Sequence, residues 1–124
     1  MDNPQAVLEA IDTDRAELIR LAGEFDKARR GLGKAEYGYE KAQAKALVRY
    51  EVNYRERFGD KRLPGEDIRT AYIREIDSVS SAWAEYLGRK AEVESLEKVI
   101  RIRQSHLSSL QSELAYMTEE LRRS

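Results

Sequence analysis

The amino-acid sequence predicts an all-α protein that folds as a long antiparallel two-helix coiled-coil hairpin. The strongest observation is a heptad repeat, in which every seventh residue from Tyr72 to Leu121 is large and apolar. A second repeat begins at Leu18, and the only strong cluster of helix breakers, residues 58–65, lies between the two repeats. A heptad stripe covers one face of a helix, and a short connector favours antiparallel neighbours. We therefore expect one domain over 1–124, with helices over about 4–57 and 66–122 and a loop over 58–65.

Local signals place the ends of both helices. Asp2 or Asn3 can cap the first helix, with a proline at its first position, where a missing N–H costs nothing. Acidic residues open the second helix at Glu66, where negative charge favours the helix dipole. A group of serines then predicts a bend near 78–81, which would leave 66–77 as a short helix.

The coiled-coil face of the first helix combines a series of mostly large residues with a series of mostly small ones. Gly31 and Gly38 lie beside the small series. Either they allow the second helix to approach closely, or Gly31 and Gly33 mark a break in the first helix, and both interpretations stay open. The two series are Leu18, Phe25, Leu32, Tyr39 and Ala46, and Leu21, Ala28, Ala35, Ala42 and Arg49.

Two registers would bring these helices together. In the preferred register Leu18 lies opposite Leu110, large residues repeatedly face small ones, and Arg103 meets the ring of Phe25 in a cation–π contact. The alternative is slid by one heptad and sets Arg89 and Arg103 against leucines. The aromatic partners favour the first register.

Composition limits the class of protein. Charged residues make up 36% of the chain and hydrophobic residues 41%, a balance typical of long exposed helices, and the net charge of −1 gives no global reason to expect a nucleic acid or an acidic target. The chain has no cysteine, no signal-peptide pattern and no apolar run of about 18 residues. We expect a soluble, cytoplasmic protein without a membrane span.

Residues for catalysis are sparse. His106 is the only histidine, and its place on a helix flank predicts an exposed side chain or one at the edge of the coiled-coil face rather than a metal ligand. The chain contains no Glu-x-x-His pair and no glycine-rich phosphate loop that follows a strand. The sequence therefore predicts no enzyme, no catalytic residue, no cofactor and no metal.

Apolar residues that a single coiled-coil face cannot cover form the candidate protein interface. They lie near the loop end of the hairpin, where an uncovered apolar face usually marks an interface. A homodimer that forms a four-helix bundle would bury them, since a two-helix hairpin needs further burial. The other interpretation is that the 66–77 segment folds over them within the monomer. The candidate interface residues are Leu47, Tyr50, Tyr54, Ile76, Trp83 and Leu87.

Basic residues give an alternative interface. From Lys27 to Arg74 the chain has 13 Lys or Arg against 7 Asp or Glu, with tyrosines between them. Such a patch can hold phosphates while bases stack on the tyrosines, although the interleaved acids would repel a phosphate backbone. The candidate nucleic-acid contacts are Arg29, Arg30, Arg55, Arg57, Lys61 and Arg62.

The chain resembles the small helical-hairpin proteins of tailed-phage early-gene and recombination-gene regions. The resemblance lies in the Tyr- and Ala-rich first helix, the loop Gly59-Asp60-Lys61-Arg62-Leu63-Pro64 and the segment from Leu107 to Leu114. It implies an accessory role in phage DNA metabolism or interference with a host protein, in the host cytoplasm, and it assigns no functional residue.

Three functions follow as hypotheses. The leading one is a non-enzymatic, self-associating helical protein that binds a protein partner through its aromatic face. The alternatives are a single-stranded nucleic-acid-binding accessory of recombination, and a structural spacer or assembly component in which only helix length matters.

Overall fold

The computed structural model describes residues 3–59 and 61–124, and over these ranges the chain is helical with no strand. The three helices are α1 (Pro4–Phe58), α2 (Glu66–Arg74) and α3 (Asp77–Arg123). The all-α prediction is confirmed. The helix expected over 66–122 is divided at Glu75 and Ile76, just before the predicted bend at 78–81.

Both ends of α1 have an identifiable cap. The side-chain Oδ1 of Asn3 accepts a hydrogen bond from the N–H of Ala6 at 2.8 Å, while Asp2, the other predicted cap, lies outside the described residues. At the C-terminus Gly59 has a φ of +67° and its N–H donates to the carbonyl oxygen of Arg55 at 2.8 Å. Glycine adopts this left-handed conformation without a steric penalty, so α1 ends here.

The glycines of α1 do not interrupt the helix, which is unbroken through Gly31 and Gly33. A Cβ added at Gly31 would lie 3.5 Å from Nη1 of Arg89, an ordinary van der Waals contact. At Gly38 an added Cβ would have no heavy atom within 4 Å. The expected close packing is therefore wrong at Gly38, where an added methyl group would touch no other residue.

Alanine at interior helical glycines should stabilise the protein. We expect Gly23→Ala and Gly33→Ala each to raise the free energy of unfolding by about 1 kcal/mol, because alanine has the higher helix propensity and an added Cβ meets nothing within 4 Å. Gly59→Ala is the matched control and should lower it by about 1 kcal/mol, because Gly59 has a positive φ. Urea unfolding followed by circular dichroism measures all three variants. A change of the same sign in the free energy of unfolding for Gly33→Ala and Gly59→Ala would contradict the argument.

Packing divides the chain into two compact units, Met1–Ala28 with Glu92–Ser124 (unit 1) and Arg29–Ala91 (unit 2). The prediction that 1–124 acts as one domain stays a prediction. In unit 1 the first part of α1 packs antiparallel on the last part of α3, around a core of Val7, Ile11 and Leu110. Ala10, Leu107, Leu114 and Met117 pack against this core.

In unit 2 all three helices contribute to one core. Ala46 of α1, Ile73 of α2 and Val79 of α3 are buried together, and the last two are fully buried. The partly buried residues around them are Tyr39, Ala42, Leu47, Tyr50 and Ile76. The short helix α2 is therefore held by Ile73, its one buried residue.

The preferred register is wrong by one heptad, and the alternative is observed in both units. In unit 1 Ile11 shares a core with Leu110, which the preferred register placed opposite Leu18. In unit 2 Arg89 lies against Gly31. The physical reason is that Arg103 finds the buried carboxylate of Asp14, a stronger partner than an aromatic ring.

Candidate functional site

A groove with a volume of about 1570 Å³ lies in unit 2. Its long wall is α1 from Gly38 to Phe58, and the opposite wall is formed by Tyr72, Ile76 and Ser78. Residues four apart lie on one side of a helix, so α1 turns a continuous apolar row toward the groove. This row is Ala42, Ala46, Tyr50, Tyr54 and Phe58, and Ala44, Val48 and Val52 form a second apolar row.

The aromatic residues of the groove contact one another. The ring of Tyr50 lies 5.1 Å from that of Tyr72 and 6.2 Å from that of Tyr54, centroid to centroid, and Tyr54 lies 4.7 Å from Phe58. The hydroxyl of Tyr54 donates to the carbonyl oxygen of Arg62 at 3.1 Å and ties the connector to α1. Tyr72 and Phe58 nevertheless stay exposed, so the groove presents apolar surface to solvent.

Among the residues that the structure describes, four cations and no carboxylate line the same groove. Lys41, Lys45 and Arg49 are spaced four residues apart on α1, and Arg57 continues the row two turns later. Within residues 3–59 and 61–124 none of the four is paired with a carboxylate, and the guanidinium of Arg57 lies over the Phe58 ring at 5.4 Å. The groove is therefore apolar and positively charged.

The six predicted interface residues do not all lie on one surface. Tyr50, Tyr54 and Ile76 line the groove, while Leu47 packs against the unit 2 core. Trp83 lies elsewhere in unit 2, with its ring 5.0 Å from that of Tyr39 and 5.6 Å from that of Tyr86. Leu87 follows Trp83 by four residues, and the two are 43% and 42% exposed. We call this pair the Trp83–Leu87 face.

The six predicted nucleic-acid contacts are all exposed and all belong to unit 2, but only Arg57 lines the groove. Arg55 forms an ion pair with Glu51 at 2.9 Å. The others are Arg29 and Arg30 at the start of unit 2, and Lys61 and Arg62 in the connector. The cations at the groove, Lys41, Lys45 and Arg49, were not among the predicted contacts.

A buried charge cluster in unit 1 was missed by the sequence reasoning. Asp14 is the one charged residue that is buried in the described part of the chain, with a side chain 3% exposed. Its Oδ1 accepts a hydrogen bond from Nη1 of Arg103 at 3.0 Å, and its Oδ2 lies 2.5 Å from Nδ1 of His106. The cluster links α1 to α3, and His106 itself is exposed, as predicted.

The partners of Asp14 determine its protonation. Burial acts to raise the pKa of this carboxyl group, but the hydrogen bonds from His106 and Arg103 outweigh burial and hold the pKa below its ordinary value. Asp14 is therefore ionised at neutral pH. A charged pair of this kind fixes the register, because a shift of either helix would leave a buried charge without a partner.

Within the described ranges, no three His, Cys, Asp or Glu side chains lie close enough to hold a metal ion. No described helix has a stretch both long and apolar enough to cross a bilayer. Comparisons with protein families, with characterised proteins and with solved structures find no match for this chain.

Proposed function

We propose that this chain is a non-enzymatic helical interaction protein that binds a protein partner in the groove of unit 2 and self-associates through the Trp83–Leu87 face. The open apolar groove is the observation on which the proposal depends. A tailed-phage setting, in which the partner is a phage or host protein, stays a prediction.

The size and lining of the groove support a protein partner over a small molecule. Small-molecule pockets typically enclose roughly 300–1,000 Å³, whereas this groove has about 1570 Å³ and is open along α1. Tyrosine is enriched among the residues that contribute most to protein binding, and apolar grooves beside a helix are sites where amphipathic segments of other proteins dock. Tyr72 and Val48 are exposed groove residues that a partner would cover.

The Trp83–Leu87 face supports self-association. Two large apolar side chains four residues apart form a stripe on α3, as in helices that pack on a second helix pair. The ring of Trp83 contacts the rings of Tyr39 and Tyr86, which restrict its orientation while the residue stays partly exposed. A homodimer packed through this face would be the proposed four-helix bundle.

Light scattering tests the self-association. We expect a mass above the 14.3 kDa of one chain for the natural protein, and a mass near that of the monomer for Leu87→Ser, because the substitution places a polar group in the contact. Ile19→Ser is the matched control: Ile19 is an exposed apolar residue of unit 1, and its replacement should leave the mass unchanged. Circular dichroism checks that helix content survives. A monomeric mass for the natural protein, or equal effects of the two substitutions, would contradict the proposal.

The alternative function, binding of single-stranded nucleic acid, is favoured by the combination of cations and rings in the groove. It predicts binding of an oligothymidine that weakens steeply with salt, since released counterions drive such binding. Fluorescence anisotropy at low salt measures it. Absence of binding there would remove this alternative and leave the protein-binding proposal standing.

A further inference from the structure

We infer that the partner element that occupies the groove is an acidic amphipathic helix, with one apolar stripe and a row of carboxylates beside it. The inference rests on the proposed partner-binding function and adds the chemistry of the partner.

The length of the groove fits a helix. Its α1 wall extends from Gly38 to Phe58, which is about 30 Å at 1.5 Å per residue, the length of a helix of about 20 residues. The wall presents aliphatic and aromatic side chains in rows four residues apart, the spacing that receives an apolar stripe at i, i+3, i+4 and i+7. An apolar helix face laid along α1 would cover Val48 and Val52.

The positive charge of the groove determines which residues should lie beside the apolar stripe of that helix. At 100° per residue, the apolar rows of Val48 and Tyr50 lie about 200° apart around α1, and the row of Lys41, Lys45 and Arg49 borders both of them in the groove. A partner helix laid on the apolar row of Val48 therefore has the cations along its edge. Covering unpaired cations with a neutral or basic surface removes their hydration without compensation, whereas carboxylates spaced four residues apart would pair with them.

The lining favours a protein helix over nucleic acid. Bases need flat rings on which to stack, but most of the apolar lining is aliphatic, and the ring of Tyr50 is already stacked against that of Tyr54 and in contact with that of Tyr72. Aliphatic side chains such as Val48 and Ile76 instead match the leucine-rich stripe of an amphipathic helix.

Designed peptides of about 20 residues test the inference by fluorescence anisotropy. The first peptide has a leucine stripe flanked by glutamates, the second has lysine in place of each glutamate, and the third is a scrambled form of the first without helical periodicity. An oligothymidine is the nucleic-acid probe. We expect the natural protein to bind the acidic helix at least about tenfold more tightly than the other two peptides, and more tightly than the oligothymidine.

Charge reversal in the groove is the matched protein experiment. Lys41→Glu with Lys45→Glu should weaken binding of the acidic helix by at least about tenfold and improve binding of the lysine peptide. The control is Lys90→Glu with Lys98→Glu, which changes the net charge equally at exposed positions of α3 outside the groove and should have little effect. Circular dichroism confirms that each variant is helical.

Each other outcome overturns the inference in a distinguishable way. One such outcome is that the glutamate and lysine peptides bind with equal affinity, and that Val48→Ser and Val52→Ser abolish the binding of both. That result would rule out the acidic preference and keep the groove as a protein-binding site. Equal binding of the scrambled peptide would show charge attraction alone, and tighter binding of the oligothymidine would identify a nucleic-acid groove. Dissociation of the oligomer on charge reversal would show that a second copy occupies the groove. If no probe binds, the inference fails, while Leu87→Ser decides the self-association separately.

Discussion

Ile73→Ala should lower the free energy of unfolding by about 2–5 kcal/mol, the largest loss expected from a single apolar substitution in unit 2. Ile73 is 0% exposed, sits between Ala46 of α1 and Val79 of α3, and is the one buried residue of α2. Alanine would remove most of that contact and leave a cavity that three helices would have to close.

The loss should be concentrated at α2. A helix of nine residues is too short to be stable alone, so α2 persists only while it is docked. Hydrogen exchange should therefore accelerate in α2 of Ile73→Ala more than in unit 1, and the groove should lose the wall formed by Tyr72 and Ile76.

Ile68→Ala is the matched control for Ile73→Ala. It makes the same chemical change in the same helix at a residue that is 63% exposed, and should alter the free energy of unfolding by less than about 0.5 kcal/mol. Urea unfolding of both variants measures the difference. Similar losses for the two would mean that α2 is not docked through Ile73.

Asp14→Asn should lower the Tm by about 5–10 °C. The amide keeps the shape of the carboxylate, but it removes the buried negative charge and turns an N–H₂ group toward one of two donors, Arg103 and His106. Asp12→Asn is the control, because Asp12 is exposed on the same helix, and its Tm should match that of the natural protein.

The stabilisation by Asp14 should depend on pH in a defined direction. Its pKa in the folded protein is below the value of about 3.9 in an unfolded chain, so folding favours the ionised form. The contribution is fully present above that value and is lost as pH falls through the lower, folded-state pKa. Scanning calorimetry should find a constant Tm difference between the natural protein and Asp14→Asn from about pH 5 upward, narrowing below about pH 4. A difference that widens in acid would contradict this account.

Heptad spacing was enough to predict the helices but not the register. The apolar periodicity from Tyr72 to Leu121 and the breakers at 58–65 gave an all-α hairpin, because helix periodicity and turn residues are local properties. Register depends on which residues meet across the interface. Both candidate registers placed apolar residues together, and the deciding group is Asp14, a carboxylate whose partners, Arg103 and His106, lie on the other helix.

A signal for Asp14 was present in the sequence. Stepping back one heptad from Leu21 reaches Asp14, so a carboxylate occupies the coiled-coil face of α1 just as Arg103 occupies that of α3. Two opposite charges at positions that are normally apolar indicate a buried pair. Extending the repeat toward the N-terminus would have indicated the pair and with it the observed register.

The groove was predicted only in part. Tyr50, Tyr54 and Ile76 were identified because one coiled-coil face cannot cover apolar residues on several sides of a helix. The cations of the groove were not identified, since the row of Lys41, Lys45 and Arg49 resembles the solvated charged residues of any long helix. What distinguishes the row is that no carboxylate of the described ranges lines the groove beside it, and this is a property of the assembled helices.

The unfilled space beside the interior glycines has a practical consequence for these experiments. Gly23, Gly33 and Gly88 lie outside the groove, and an added methyl group at any of them meets no neighbour. Effects at well-separated sites are usually additive, so alanine at all three positions should raise the free energy of unfolding by about 3 kcal/mol. Ile73→Ala and Asp14→Asn can then be introduced into the triple-alanine protein and purified in folded form. In that protein, a variant with lowered stability can be distinguished from one that does not fold.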